Sequence, residues 1–313
     1  MSISELSALG IVTAAVLYLV AFMAHAAEWA SARGLAADPQ FASAELVEAG
    51  PGGAENDEKA RIRVDMFGRM GIGITVIALV SHALGVVLRG VAAHRAPWGN
   101  MYEFTISALL FVAVAYVVLA LTKDMRWLGL PITLLLAVGN GLAATVFYVA
   151  IAPLVPALHS VWFLIHIVAA CIAGAAFNVG GMASIIYLFQ ERAEKKSDGA
   201  PRTGYLAKLP SAKVMDTFAY RAHAFAFPVW FFTIAAGSIW AEYAWGRFWG
   251  WDPKETWSLV TFIIYSMYLH ARATAGWRGR NAAIIAIIGV VSFWFNFIGV
   301  NLLVSGLHSY AGI

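Results

Sequence analysis

The chain contains a single cysteine, Cys171, among its 313 residues. One cysteine excludes an internal disulfide and a CxxC redox pair. It also excludes a CxxCH attachment motif, so the chain is not itself a c-type cytochrome. Charge is scarce as well: Asp, Glu, Lys and Arg make up 12% of the residues, against about 25% in soluble domains. No P-loop or other nucleotide motif occurs, and no feature indicates a nucleic-acid partner.

Hydrophobic residues make up 61% of the chain, which is typical of a polytopic membrane protein. Their runs lack the alternation of barrel strands, so they predict helices. The fold class is therefore an all-α integral membrane protein with about eight transmembrane helices, and the first run is interpreted as a retained span. The runs lie near residues 6–30, 70–91, 102–122, 127–150, 159–190, 215–244, 257–274 and 281–304.

The basic residues predict the orientation. Seventeen of the 21 Lys and Arg residues fall on one side of these runs, and positive residues favour the cytoplasm. The other side has only Arg89, Arg95, Arg247 and Lys254. Both termini and the loop after the sixth run are therefore expected on the outer face of the plasma membrane.

The residues between the first two runs predict a two-part organisation. The segment 31–68 is rich in Ala, Gly and Glu, a composition typical of a mobile linker. We divide the chain into 1–69, the first span with this cytoplasmic loop, and 70–313, the remaining membrane domain.

One outward segment, WGRFWGWDPKETW at 245–257, mixes tryptophans with full charges. Within it Asp252, Pro253 and Glu255 have the spacing of a helix start, with an N-cap, a proline at N1 and a capping carboxylate at N3. We expect these carboxylates to act mainly as a helix cap.

The tryptophans of this region are more concentrated than an interfacial aromatic belt requires. Five fall within eighteen residues: Trp240, Trp245, Trp249, Trp251 and Trp257. If Trp245 and Trp249 lay on one helix, they would share a face. Such a platform suits a flat, conjugated, apolar ligand. Because Arg247 and Lys254 could meet carboxylates of that ligand from the wet side, haem is a candidate.

Haem requires axial ligands, and histidine is the usual one. His166 lies about two turns into the fifth run, and His308 lies just past the eighth, so both are candidates for iron ligation near the outer side. His270 is thirteen residues beyond Trp257, about 20 Å along a helix, and is too deep to serve the same haem. The remaining intramembrane histidines, His25, His82 and His223, are interpreted as structural.

These residues occur within longer matching stretches. AWGRFWGWDPKETWSLVTF, at 244–262, resembles the tryptophan-rich WWD signature of haem-handling proteins, and we assign the WWD segment to 244–257. YLHAR, HSVWFLIHI and NLLVSGLHSY extend the match, and HRAPWGNMYEF matches more loosely. Together they resemble the CcsA/ResC family, called CcsB in some bacteria, the membrane component of system II cytochrome c biogenesis. The resemblance covers about residues 70–313.

The resemblance implies a function and assigns residues to it. In that family the WWD segment binds haem b non-covalently, and two external histidines, here His166 and His308, ligate the iron. The WWD assignment covers Trp245, Arg247, Trp249, Trp251, Asp252, Lys254 and Trp257. A histidine in the following span, here His270, belongs to an inner haem site whose second ligand comes from a ResB/CcsB-type partner.

The family delivers haem to the outer face for thioether attachment to the CxxCH motifs of apocytochrome c. Thiol-reducing assembly factors are further candidate partners. The resemblance leaves open whether this chain is itself an enzyme or a component of a cytochrome c synthase complex.

Three alternatives compete with this hypothesis. The nearest is a system I WWD protein that delivers haem, but GLHSY and the eight runs favour system II. A haem b electron-transfer subunit needs paired histidines at both depths, and only His270 has a clear motif at the inner depth. A secondary transporter is disfavoured because no paired broken helices with midplane acids are seen.

Overall fold

The computed structural model describes residues 1–33, 35, 51–198, 202–274 and 276–308 and is all-α. Short 3₁₀ turns precede α4 and α5, and a π-helical turn, Phe295–Gly299, follows α9. The helices are α1 Ile3–Ser31, α2 Pro51–Ala93, α3 Met101–Lys123, α4 Gly129–Thr145, α5 Val161–Ser197, α6 Tyr205–Lys208, α7 Ala212–Trp245, α8 Pro253–Ala273, α9 Arg280–Trp294 and α10 Val300–Leu303.

Seven helical segments among the described residues are long and apolar enough to cross a membrane, which confirms a multi-pass membrane protein. They are Ile3–Ser31, Asp57–Ala93, Met101–Lys123, Arg126–Thr145, Val161–Ser197, Ala212–Trp245 and Arg280–Leu303. The eighth predicted run forms α8, whose 21 residues span about 31 Å. Its tryptophan, tyrosines, serines and histidine make it less apolar than the other seven.

Two helices are longer than a crossing of the membrane requires. α5 has 37 residues and α7 has 34, so both are longer than the roughly 20 residues that span the bilayer core.

The N-terminal linker is shorter than expected, because α2 begins at Pro51 and residues 51–68 are helical. The other linker residues, 34 and 36–50, lie outside the described part of the chain. The boundary at 69/70 falls inside α2, and the two-part division stays a prediction.

α5 connects two packed halves of the bundle. On one side, α1 packs along α2 and α4, and a buried cluster joins α1, α3, α4 and α5 around Tyr18 and Tyr116. On the other side, α5 packs along α7 and against α9. A second buried cluster there contains Phe177, Trp230 and Tyr265.

Several connections meet at one end of the bundle. Trp98 of the α2–α3 loop packs in one cluster with Leu158 and Phe163, which flank the start of α5. Trp240 and Trp245 of the last turns of α7 join the same cluster. The loops that the sequence assigns to the outer side therefore share one end of the molecule, which we call the tryptophan end.

The basic residues of the tryptophan end are engaged within the chain. Arg89 Nε donates to Glu103 Oε1 at 2.9 Å, and Arg95 Nη1 donates to Glu103 Oε2 at 2.6 Å. Glu103 is fully buried. The other two cations, Arg247 and Lys254, also bond within the chain, as described below. Each of the four basic residues at this end thus has a hydrogen-bond partner within the chain.

Candidate functional site

A large pocket lies at the tryptophan end between α3, α5, α7, the start of α8 and the segment that follows α9. The space in and around it that no atom fills, open solvent included, is ≈ 1440 Å³. Its walls are mostly apolar, and His166, His308, Trp249 and Lys254 all line it. A concave, largely apolar space with a few convergent polar groups is the usual form of a ligand site.

The start of α8 has the predicted cap. The Asp252 carboxylate accepts from the Lys254 N–H at 3.2 Å, and Glu255 Oε2 accepts from the Asp252 N–H at 3.1 Å. The Asp252 side chain also accepts from the N–H of Glu255, so Asp252 and Glu255 form a capping box, with Pro253 in the first turn. The capping interpretation of this motif is confirmed.

The loop that follows α7, residues 246–252, is not helical. α7 ends at Trp245, and Gly246 follows in the left-handed conformation with φ of 68°. Glycine adopts this conformation without a steric penalty, which is why it commonly ends helices. Trp249 consequently lies in the loop, and the hypothesis that Trp245 and Trp249 share a helix face is wrong.

His166 is held on α5 by the backbone of α7. Its Nδ1 lies 2.8 Å from the carbonyl oxygen of Thr233. One turn further along α7, Gly237 makes room for the ring, since a Cβ there would lie 2.7 Å from His166 Nδ1. The close approach depends on a residue without a side chain.

His308 is held by the capping aspartate. Its Nδ1 lies 2.7 Å from Asp252 Oδ2, and Asp252 Oδ1 accepts from the Leu307 N–H at 2.7 Å. Burial acts to raise the pKa of the Asp252 carboxyl, but the hydrogen bonds from His308, Leu307 and Lys254 outweigh it and hold the pKa below its usual value. Asp252 therefore does more than cap α8, because it also positions the only histidine of the C-terminal segment.

These contacts determine the tautomer of both rings. A carbonyl or carboxylate oxygen can only accept, so Nδ1 donates in His166 and in His308. In the neutral rings Nε2 then carries the lone pair, which is the form that ligates a metal. The histidines that bind metals in proteins are held in the same way by a second hydrogen bond.

Trp240 links the two histidines. His166 stacks on its indole with centroids 5.8 Å apart, and His308 meets the same indole edge-on at 5.4 Å. Its own Nε1–H donates to the Ala157 carbonyl at 2.7 Å, which fixes the ring. The ring of Trp245 contacts the same residues, with its centroid 5.0 Å from that of Trp240 and 4.8 Å from that of His308.

The other predicted tryptophans are distributed differently. Trp249 lines the pocket. The ring of Trp251 meets the ring of Trp249 edge-on, with centroids 5.8 Å apart. Trp251 is, however, 68% exposed and has a left-handed backbone with φ of 60°. Trp257 contacts Phe295 of the π-helical turn at 4.3 Å. Of these three, Trp249 is the one that faces the pocket.

The two predicted cations have partners in the chain. Arg247 Nη1 donates to Glu255 Oε1 at 3.0 Å, with its guanidinium 5.8 Å from the Trp245 ring. Lys254 Nζ donates to the carbonyls of Asn296 at 3.1 Å and Phe297 at 3.5 Å. Arg247 is thus committed to an ion pair, whereas Lys254 lines the pocket wall.

The remaining histidines lie away from the pocket. His270 is exposed in the last turn of α8, at the end opposite the capping box, as its distance along the helix predicts. His25, His82 and His223 are buried, with partners in Glu28, the Ile106 carbonyl and Ser184.

Some residues of the site were not predicted. Trp240 was predicted only as one of the clustered tryptophans and not as a residue of the site. The positions of Thr233, Gly237 and Asn296 were not anticipated either. A glycine inside a predicted span is a weak sign of close approach, whereas a backbone carbonyl as a ring partner leaves no sequence signal.

Fold and pocket define a class: multi-pass helical membrane proteins that hold two histidines beside a tryptophan-rich loop. The sequence model of the family described as "Cytochrome C assembly protein" matches residues 75–308. A cytochrome c biogenesis protein CcsA from Gloeobacter violaceus is 32% identical over 297 residues, covering 79% of this chain and 88% of that protein. CcsA of Mesostigma viride is 34% identical over 276 residues, covering 79% and 87%. The chain belongs to the CcsA group of the cytochrome c assembly protein family, and its role is in cytochrome c assembly.

A solved structure of similar fold is titled "Cytochrome c Heme Lyase CcmF". Its TM-score is 0.56 at 13% sequence identity. The match covers 96% of this chain and 49% of that one, so this chain spans about half its length. At this identity the match supports the helical fold alone.

Proposed function

We propose that this chain carries haem b to the outer face of the membrane and holds it between His166 and His308. There it presents the haem for thioether attachment to the CxxCH motif of apocytochrome c. One observation carries the proposal: both histidines contact Trp240, line one pocket and have Nδ1 bonded so that Nε2 is available.

The donor set fits haem better than a bare metal ion. Among the described residues no group of three or more His, Cys, Asp or Glu could hold a metal. A porphyrin supplies four nitrogens of its own, so two imidazoles complete the coordination of its iron. The apolar walls of the pocket suit the macrocycle, and Trp249 offers it a ring contact.

The chemistry that follows is addition of a thiol across a vinyl group. Sulfur bonds to the vinyl carbon nearer the ring, and the thiol hydrogen ends on the outer carbon, so no oxidant is consumed. The chain contributes positioning, because its histidines hold the haem while the substrate thiols approach. His–iron ligation also tunes the iron potential.

His270 belongs to a separate, inner step in this proposal. It lies at the far end of α8 and is exposed, so it can meet a ligand or a partner chain there. A ResB-type partner supplies the second iron ligand at that level. Haem then passes from the inner level to the outer pair.

The charge bias orients the molecule. We place the tryptophan end, with the WWD loop, on the outer face of the plasma membrane, and both termini with it. The opposite end carries the surplus of basic residues and faces the cytoplasm.

The proposal is tested by purifying the chain together with its ResB-type partner from haem-replete cells. Haem b should co-purify and should be removed completely by acid–acetone, because no covalent bond holds it. A colourless complex would contradict the proposal, and so would colour that stays with the protein after extraction.

A further inference from the structure

The loop between α2 and α3, residues 94–100, has the same design as the loop between α7 and α8, residues 246–252. In both loops a left-handed residue directly follows a helix and an arginine comes next. An N-cap residue then starts the following helix, and a glutamate lies three residues beyond the cap. These four positions have the same spacing in the two loops: His94, Arg95, Asn100 and Glu103, and Gly246, Arg247, Asp252 and Glu255. Each loop also contains a Trp-Gly pair, Trp98–Gly99 and Trp249–Gly250.

The contacts of the glutamate are the same in both loops. In the α2–α3 loop, Glu103 Oε2 accepts from the Gly99 N–H at 2.7 Å and from Arg95 Nη1 at 2.6 Å. The corresponding glutamate of the α7–α8 loop accepts from its glycine N–H at 2.8 Å and from its arginine at 3.0 Å. In each loop the guanidinium lies against the glycine, so that a Cβ on the glycine would collide with it. One carboxylate thus fixes the backbone of each loop.

Both loops lead into walls of the pocket. The start of α3 lines the pocket through Met101 and Phe104, and the start of α8 lines it as well. The segment after α9 contacts both starts. Asn301 Nδ2 donates to Met101 Sδ at 3.3 Å, and further along the segment His308 bonds to the capping aspartate of α8. The two loops therefore belong to one site.

The α2–α3 loop reaches His166 through a row of rings. Phe104, the residue after the glutamate, meets Phe163 edge-on with ring centroids 6.2 Å apart. Phe163 lies on α5 one turn before His166, and its ring is 5.2 Å from that of Trp240, on which His166 stacks. Trp98 of the loop packs into the same cluster. The α7–α8 loop reaches the other histidine directly, through its capping aspartate.

We propose that Glu103 is a positioning residue of the outer site, and that it fixes His166 through the α2–α3 loop. It then has the part that Asp252 of the α7–α8 loop has for His308. The inference rests on the proposed haem function. Each iron ligand is held by its own copy of one loop design, and the fully buried Glu103 acts on the site without touching the haem.

The test makes the same small change in both loops. Gly99→Ala and Gly250→Ala each place a methyl group against a guanidinium, so the arginine has to shift from its glutamate. Glu103 itself is kept, because removing one partner of a buried ion pair is strongly destabilising. Each change is made in the unmodified chain, in His166→Ala and in His308→Ala.

Iron protoporphyrin IX is titrated into the haem-depleted complex of each variant with the ResB-type partner. Imidazole is added to the histidine variants to replace the missing ligand. Affinity and iron ligation are read from the absorption spectrum, and helicity by circular dichroism verifies that each variant is folded.

Gly99→Ala should weaken haem binding about 5- to 30-fold in the unmodified chain and in His308→Ala. It should have no further effect in His166→Ala, because the ligand that it displaces is already absent. Gly250→Ala should instead lose most of its effect in His308→Ala. Such non-additivity is found between residues that act through one another, whereas independent changes add.

Two results would overturn the inference and leave the proposed function standing. One is a Gly99→Ala complex that binds haem as tightly as the unmodified complex. The other is a loss of equal size in both histidine variants, which indicates a general structural effect. If Gly99→Ala does not fold, Trp98→Phe decides by the same criteria, because it loosens the ring cluster without touching the ion pairs of Glu103. An unmodified complex that binds no haem would contradict the proposed function itself.

Discussion

Asp252 accepts a hydrogen bond from His308 across 56 residues of sequence, with Oδ2 2.7 Å from Nδ1. The same carboxylate caps α8 and accepts from the Leu307 N–H. Gly306 permits this approach, because a Cβ there would lie 2.7 Å from Asp252 Oδ1. The start of α8 and the C-terminal segment are consequently joined at one residue, and the orientation of His308 depends on it.

Asp252→Asn should separate the capping role from the positioning role. Asparagine caps helices about as well as aspartate, so the stability of the protein should change little. The charge beside His308 is lost, and the loss of such an outer partner typically costs about 10- to 100-fold in metal affinity. The measurement is the haem dissociation constant together with the unfolding midpoint.

Ser2 provides the control for this prediction, because it forms the capping box of α1 and has no contact with the pocket. Ser2→Ala should cost about 0.5–2 kcal/mol of stability without changing haem affinity. If Asp252→Asn binds haem as tightly as the unmodified chain, Asp252 is a helix cap and nothing more.

Gly237→Ala should displace His166. The added methyl group would lie 2.7 Å from His166 Nδ1, so the ring must leave the Thr233 carbonyl or the helices must separate, at a cost of about 1–3 kcal/mol. We expect loss of the six-coordinate haem spectrum and of mature cytochrome c.

Gly141→Ala is the matched helical control, because a Cβ at Gly141 in α4 meets no atom within 4 Å. It should leave the spectrum and the cytochrome yield unchanged. A Gly237→Ala protein with normal haem ligation would show that the hydrogen bond from His166 to Thr233 is not needed.

His270→Ala should act at an earlier step than the outer pair. His270 lies in the last turn of α8, remote from the pocket, so its loss should lower the amount of haem that reaches the outer site. Loss of His166 or His308 should instead spare loading of the inner site. Haem per protein and the ligation spectrum of each purified variant distinguish these effects. If the His270→Ala variant had as much haem at the outer site and as much mature cytochrome c as the unmodified protein, His270 would have only a structural role.

Topology is tested with reporter tags. A tag after Ile313 should report the outer face, and tags in 31–68 and 191–214 should report the cytoplasm, because basic residues are retained there. A C-terminus found inside would contradict the placement of the haem site.

The sequence predicted most of the helical architecture, because hydrophobic runs of membrane length leave few alternatives to a helix. It was less informative where a helix is polar or a loop is structured. α8 has the predicted position but less apolar character than the seven other spans, and α2 continues through a segment whose composition indicated a linker.

At the site, sequence spacing identified the capping box because the capping contacts are local. It could not reveal that Asp252 also holds His308, since that contact joins residues far apart in the chain. For the same reason, the pairing of Arg247 with Glu255 and the hydrogen bonds from Lys254 to carbonyls of the π-helical turn required the structure.

The most direct test of the account is the absorption spectrum of the purified complex and of its His166→Ala and His308→Ala variants. The unmodified complex should show low-spin, six-coordinate haem b with two imidazole ligands. Each variant should lose that spectrum and cytochrome c maturation, and added imidazole should partly restore both, because it can offer the same nitrogen to iron. Unchanged spectra and unchanged maturation in both variants would show that His166 and His308 are not the ligands.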